Sequence, residues 1–467
     1  MNVLYLEAMI IKMLRLMMLT RRRSRQKKKM MKKMCKLLYL QHVPKDPPPV
    51  RHVQFEKNRV CRGSGIKVTY MLDGQISPFL PKSYIGATDP VNVFEYFFDN
   101  DVCKYLADMS TKYARIDKGV HNIQITVADI RCFIGILLLS GYISVPRWRM
   151  LWEVDSETFN ATVSNAMRRS QYENIKRYLH CADIALLKPG DKFAKMRPLM
   201  AMLNERYLAC ASLEEHLCVD ESMAPYFGRH GAKQFIRGKP VRFGFKFWCL
   251  CDRRGYLIQF EPYQSGQYDK DIGLGASVVL DVMSEVPRGI PFKLFGDRFF
   301  TSLHLIDDLN PASEMTYIVS GGALNSTHSL DDLKAYGYGY TGTVMLNRTE
   351  RCPVMIPKLL AKKHRGFCDY QLDQSANVLV VGWNDNRPVY LASNIHGVSP
   401  VGVCTRWSSS EKKKVTVQLP DLAGKYNKYM GGVDRMDQNT ANYRVGVRST
   451  KWWWVASVCF LCRDRHP

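Results

Sequence analysis

Two aspartates three residues apart, Asp434 and Asp437, sit in the stretch YNKYMGGVDRMDQ at 426–438. Gly431-Gly432 marks the start of a helix, and on a helix residues three apart share a face. The pair then lies in the first turn, where the helix dipole favours negative charge. Two ionised carboxylates side by side repel unless a cation lies between them. A divalent metal ion, which takes hard oxygen ligands, is the natural occupant. Alone, a D-x-x-D is more often an ordinary polar first turn, so the reading depends on what the rest of the chain brings to it.

Two further aspartates end short apolar runs. Residues 217–223, LCVDESM, form a strand that delivers Asp220, and residues 292–295 form one that delivers Asp297. Between them, 243–252 and 255–264 read as two strands of a hairpin joined by a short Arg253-Arg254-Gly255 link, and 272–285 reads as a helix. An antiparallel sheet beginning with Asp220, a later strand with Asp297 and a helix with Asp434 and Asp437 can converge on a metal pair. Two ions about 3.5–4 Å apart activate a water or hydroxyl and stabilise the leaving oxygen of a phosphodiester. Taken singly, Asp220 is equally a turn residue and Asp297 a solvent-facing residue of an edge strand. The turn-rich stretch that follows Asp220 is basic. Its Lys233, Arg237, Lys239, Arg242 and Lys246 either track a DNA backbone or form a solvated hairpin face.

The totals narrow the class of partner. The chain has 467 residues and a formal net charge of +24. Its first 60 residues hold 16 Lys/Arg against 3 Asp/Glu, which still leaves a positive excess on the larger part. A polyanion is the favoured partner, nucleic acid first. The 14 cysteines show no framework spacing and read as reduced thiols. No stretch has the apolar length of a membrane span. Residues 1–19 are interrupted by Glu7, Lys12 and Arg15 and lack the order of a secretory signal; an amphipathic mitochondrial presequence is the minor alternative.

Residues 1–85 read as a basic, largely disordered arm. Its run from Arg21 to Lys29 is a nuclear localisation signal, a DNA contact or a solvated tail. Order begins near Asp89-Pro90-Val91, a capped helix start with Pro at its first position. Phe94, Phe97, Phe98 and Tyr105 keep helical spacing. Residues 126–142 read as a buried helix, and 157–181 and 197–213 as further helices, so 86–215 is a helical, moderately basic region.

At these residues the chain resembles the piggyBac family of DNA transposases and their transposon-derived relatives. The resemblance runs from about 90 to 454. It is carried by IGILLLSGYISVPRWRMLWE (134–153), YENIKRYLHCAD (172–183), DKFAKMRPL (191–199), CVDESMAPYFGR (218–229), RGKPVRFGFKFW (237–248), GDRFFTS (296–302), TGTVMLNR (341–348), YNKYMGGVDRMDQ and KWWW (451–454). It implies an α/β (α+β) fold: a ribonuclease H-like catalytic core with an inserted β-rich subdomain and an N-terminal helical region for dimerisation and DNA binding. The core would comprise 216–305 and 420–467, interrupted by 306–419, where 377–393 alternates around an Asn384-Asp385-Asn386 turn. Asp220, Asp297 and Asp434 fall on the family's DDD/DDE triad and its metal ligands, and Asp437 on a fourth required aspartate. The implied reaction is Mg²⁺-dependent cleavage and transfer of DNA strands at TTAA sites, using two ions.

Three departures accompany the resemblance. Arg298 stands where the family has Asn, and its guanidinium would pair with Asp297 against a metal or contact a DNA phosphate. About twenty extra residues, the loop 310–333, precede TGTV. The chain ends soon after KWWW, which reads as a truncated C-terminus; Cys459, Cys462 and His466 are three of the four ligands that a structural zinc takes, with buried helical thiols the plainer reading. Trp452, Trp453 and Trp454 read as core anchors rather than base stackers, and His180 and His304 as packing residues. The expected protein binds double-stranded DNA in the nucleus, with a second copy of itself as a candidate partner in a homodimer, no membrane and no small-molecule cofactor. A catalytically inactive, domesticated DNA-binding protein is the alternative, as is a degraded transposon relic or incomplete gene model.

Overall fold

Pro90 opens the first helix, α1 (Pro90–Glu95), where its fixed φ costs nothing. In a computed structural model of the chain, the residues described are 90–141, 143, 145–154, 157–265, 273–287, 290–309, 338–373, 377–442 and 451–453, with the paired strands β1 (Val53–Gln54) and β2 (Lys67–Val68). The basic run 21–29, the loop 310–333, Trp454 and the Cys459, Cys462, His466 group lie outside the described residues.

The aromatic spacing over 94–105 spans two helices rather than one. Asp99 accepts the Val102 N–H at 2.9 Å and caps a new helix, α2 (Asn100–Lys112). Helix α3 (Val127–Ser140) starts with a reciprocal capping box between Thr126 and Asp129 and is buried from Ile130 to Leu138. The expected helix over 157–181 is also two: α4 (Ala161–Ala166) and α5 (Arg169–Tyr178). The break is at Met167, whose extended backbone turns its carbonyl to the Trp152 indole N–H at 2.7 Å. Helix α6 (Arg197–Ala209) follows, and its Arg197 pairs with Asp191 at 2.8 Å and Glu261 at 2.6 Å, tying this region to the sheet.

The sheet begins with β3 (His216–Pro225), β4 (Gln234–Phe235), β5 (Phe243–Asp252) and β6 (Leu257–Pro262). Here β3, β5 and β6 form an antiparallel meander, as the hairpin spacing predicts. Helix α7 (Leu274–Met283) then carries the chain across the sheet to β7 (Lys293–Gly296). Such a crossover returns a strand in the same direction, so β7 pairs parallel to β3 rather than continuing the antiparallel order. After α8 (Leu303–Leu309), β8 (Gly339–Thr343) pairs parallel to β7. With α9 (Pro357–Leu360), β9 (Cys368–Asp373), β10 (Val378–Asn384) and β11 (Pro388–Ser393), the order becomes β4-β5-β3-β7-β8-β11-β10-β9, with β6 also on β5. The strands on either side of the Asp385 turn thus extend the same sheet. Only the hairpin β12 (Gly402–Ser408) and β13 (Lys413–Leu419) forms a separate ribbon among the described strands after β3.

Period-two alternation sends the strands into two cores. Cys218, Phe245, Phe247, Cys249 and Phe295 pack with the N-terminal helices, while Leu217, Val219, Trp248, Leu250 and Leu294 pack with α7 and α8. Helices α10 (Asp421–Tyr429) and α11 (Gly432–Asn442) return the chain to the first of these faces, where Val433 and Met436 are buried. No helix among the described residues is long and apolar enough to cross a membrane.

Candidate active site

Strands β3 and β7 run side by side with Val219 opposite Gly296, so Asp220, still within β3, and Asp297, just past the end of β7, are neighbours. Glu221 joins them: one carboxylate oxygen from each of Asp220, Glu221 and Asp297 lies within 4.8 Å of the others. The strand is buried at Leu217–Val219 and again at Ser222–Ala224, and between these stretches it opens to solvent at this acidic pair. Asp220 Oδ1 accepts the Glu221 N–H at 2.8 Å, and Asp297 Oδ1 accepts the Phe299 N–H at 2.7 Å. Gly296 permits the close approach of β8, since a Cβ there would sit 2.1 Å from the Tyr340 hydroxyl.

Three carboxylates in a half-buried site repel one another. Burial, and then the Glu221 charge, pushes Asp220 up to about 8. Burial also raises Asp297, against the pull of the Phe299 N–H. Two lysines answer this charge. Lys239 Nζ lies 3.5 Å from Glu221 Oε1. Burial works to lower its pKa, yet the charges of Asp220, Glu221, Asp434 and Asp437 raise it. Lys246 lies over Trp248 at 3.8 Å and Phe299 at 4.8 Å from the ring centroids. Burial lowers its pKa, opposed by the charges of Glu221, Asp220 and Asp297.

Helix α11 closes the site from the other end of the chain. Its first residue, Gly432, lies so close to β3 and β5 that a Cβ would meet the Asp252 carbonyl at 2.2 Å and Cys218 Sγ at 2.6 Å. Asp437 is half-buried and accepts the Ser222 hydroxyl at 2.6 Å. Asp434, in the first turn, is exposed. Neither carboxylate belongs to the 4.8 Å group of Asp220, Glu221 and Asp297, although both act on Lys239. Tyr426 of α10 feels the charges of Asp297, Asp220 and Asp434; burial, above all, pushes its hydroxyl up to about 12.

The remaining candidates lie around this centre. Arg298 is exposed and forms no ion pair with Asp297 among the described residues. Arg237 and Arg242 are exposed and Lys233 half-buried, all near the β4–β5 hairpin. His180 is buried, with its ring 3.7 Å from that of Tyr113. Trp452 and Trp453 pack against the helical core. Glu221, Ser222 and Tyr426 received no role from the sequence. Glu221 and Ser222 follow Asp220 directly in β3, but strand alternation alone does not assign both Asp220 and Glu221 to one site.

A sequence model of the family described as Transposase IS4 matches residues 89–320 and 314–463. The chain belongs to the piggyBac/IS4 transposase family. It is similar to the human PiggyBac transposable element-derived protein 3, with 39% identity over 415 residues, covering 88% of this chain and 65% of that protein. It is also similar to the human PiggyBac transposable element-derived protein 2, with 40% identity over 371 residues, 78% of this chain and 58% of the other. The chain therefore spans less than two thirds of the length of these relatives. A cryo-EM structure of a piggyBac transposase synaptic complex with hairpin DNA matches at a TM-score of 0.62 and 20% identity, covering 80% of this chain and 73% of that one. That likeness carries the fold: the piggyBac-type sheet of this chain is a ribonuclease H-like core.

The acidic group suits a hard divalent cation. It offers only oxygen donors within a span that one ion can bridge, and Asp220 is displaced upward first by burial and then by the neighbouring Glu221 charge.

Proposed function

We propose that this chain is a piggyBac-like transposase-derived protein that binds double-stranded DNA and cleaves and transfers its strands with a divalent metal, Mg²⁺ by preference, at TTAA sites. The reading rests on the gathering of Asp220, Glu221 and Asp297 on neighbouring strands, within 4.8 Å. The family and the basic excess support a nucleic-acid substrate. The piggyBac transposase matched in fold is itself in a complex with hairpin DNA. Nuclear action and a homodimer belong to the same proposal.

In this mechanism Asp220 and Asp297 would be the oxygen donors to the metal, and α11 would bring Asp434 and Asp437 to it. A bound divalent ion would furnish Lewis acidity and a water of lowered pKa. Ser222 orients Asp437 by its hydrogen bond. Lys239 holds Glu221 and balances the acidic charge. Asp220, displaced to about 8, carries its proton at neutral pH until a cation takes its place.

The test is strand cleavage of a TTAA-containing duplex with Mg²⁺, comparing the natural chain with Asp297→Asn. Metal-dependent cleavage lost in the variant supports the enzyme. A second reading, a DNA-binding protein without catalysis, is favoured by the exposure of Asp434 outside the acidic group. Equal inertness of both proteins, with salt-sensitive DNA binding retained, would select it.

A further inference from the structure

The free end of β3, β4 and β5 carries three aromatic side chains that the core does not use. Phe227 is 82% exposed, Phe235 57% and Phe243 44%. They are adjacent. Phe235 and Phe243 are cross-strand partners with ring centroids 4.8 Å apart, and the Tyr226 N–H bonds the Phe243 carbonyl at 3.1 Å, which brings Phe227 to the same end. A cluster of exposed aromatics on a sheet end marks a surface that meets a partner.

Charge selects the partner. Arg229, Arg237 and Arg242 are exposed beside these rings, and none forms an ion pair among the described residues. Lys233 Nζ lies 5.9 Å from the centre of the Phe243 ring. Aromatic faces interleaved with unpaired cations suit a polyanion that also offers flat faces: a nucleic-acid strand with unpaired bases. An intact duplex hides its base faces in the stack and would use only the cations.

We propose that Phe227, Phe235 and Phe243, rimmed by Arg229, Arg237 and Arg242, form a platform on which unpaired bases stack. The inference rests on the reading of the carboxylate site as one that opens DNA strands. The hairpin loop that follows Phe235 also carries Lys239, which pairs with Glu221. Pro225, at the end of β3, lies four residues beyond Glu221, about 13 Å at ~3.3 Å per residue. A strand freed at the acidic group is therefore within reach of the platform.

The experiment measures binding of the full chain, by fluorescence anisotropy at fixed salt, to a labelled blunt duplex and to the same duplex with an unpaired tail. The proteins are the natural chain, F227A/F235A and F227W/F235W. The natural chain should prefer the tailed DNA. The alanine variant should lose about tenfold on tailed DNA and little on the blunt duplex, and the tryptophan variant should retain the preference. No preference in the natural chain, or equal losses on both DNAs, overturns the platform while leaving DNA binding intact. No binding to either DNA by the natural chain overturns the functional reading itself. Light scattering on the same proteins covers the other occupant: an alanine variant that dissociates a natural dimer makes the patch a contact between copies and overturns the proposal.

Discussion

Ser222 Oγ lies 2.6 Å from Asp437 Oδ1, a hydrogen bond between residues 215 apart that joins the central strand to helix α11. Ser222 is fully buried and Asp437 half-buried, so removal of the hydroxyl leaves a carboxylate without this donor. Ser222→Ala is expected to lower stability by about 1–2 kcal/mol. Denaturant unfolding reads this directly, and an unchanged midpoint would show that the bond contributes nothing net.

The two glycines that start α11 should behave differently. A Cβ on Gly432 would meet the Asp252 carbonyl and Cys218 Sγ at 2.2 and 2.6 Å, whereas one on Gly431 would meet nothing within 4 Å. Gly432→Ala should cost about 1–3 kcal/mol by overpacking, and strand cleavage should fall with it as α11 shifts. Gly431→Ala should stay within about 0.5 kcal/mol of the natural chain. Thermal melts of the two variants side by side distinguish a packing constraint from a general need for glycine.

Asp220 titrates near 8 in the folded chain, far above its ordinary value of 3.8, chiefly through burial. The sign follows from proton linkage. Between the unfolded and folded pKa values the folded state binds the extra proton, so stability from this group is full below about pH 4 and is lost as pH rises through about 8. In chelator, the melting temperature should decline from pH 5 to 9, and Asp220→Asn should flatten that decline. Divalent metal should bind more tightly as pH rises, releasing a proton. Calorimetry in two buffers of different ionisation enthalpy measures that proton.

Lys239 is the cation ion-paired to the acidic group, through Glu221, with 28% of its side chain exposed. Lys239→Met should destabilise the metal-free chain by about 1 kcal/mol at low salt. It should also enlarge the thermal shift caused by a divalent cation, because more uncompensated charge then awaits it. A smaller shift than in the natural chain would mean that Lys239 assists the metal rather than substituting for it.

The sequence made Asp220 and Asp297 legible because each follows a short apolar run. The hairpin β5–β6 was legible for a similar reason, since strand alternation and a short basic turn leave little choice. Glu221 was not, because alternation assigns adjacent strand residues to opposite faces; only the loss of burial at this point of β3 lets both carboxylates reach Asp297. Asp434 and Asp437 share a helix face only loosely. Three residues turn a helix through about 300°, and the remaining 60° sets Asp437 against Ser222 while Asp434 faces solvent. Helix breaks at Asp99 and Met167 escaped the periodicity because they depend on a side-chain cap and on a distant tryptophan. The parallel course of β7 depends on the crossover through α7, which local pattern does not encode.

The Ser222–Asp437 bond also has a consequence for how the protein is made. Synthesis delivers β3 early and α11 more than two hundred residues later, so contact of the two closes a very long loop, a slow step for any chain. Until the ribosome has released α11, Asp220 and Asp297 stand without Asp434 and Asp437, and Gly432 has not sealed the sheet beneath them. The acidic site is thus completed only after the whole of the intervening sheet has been made.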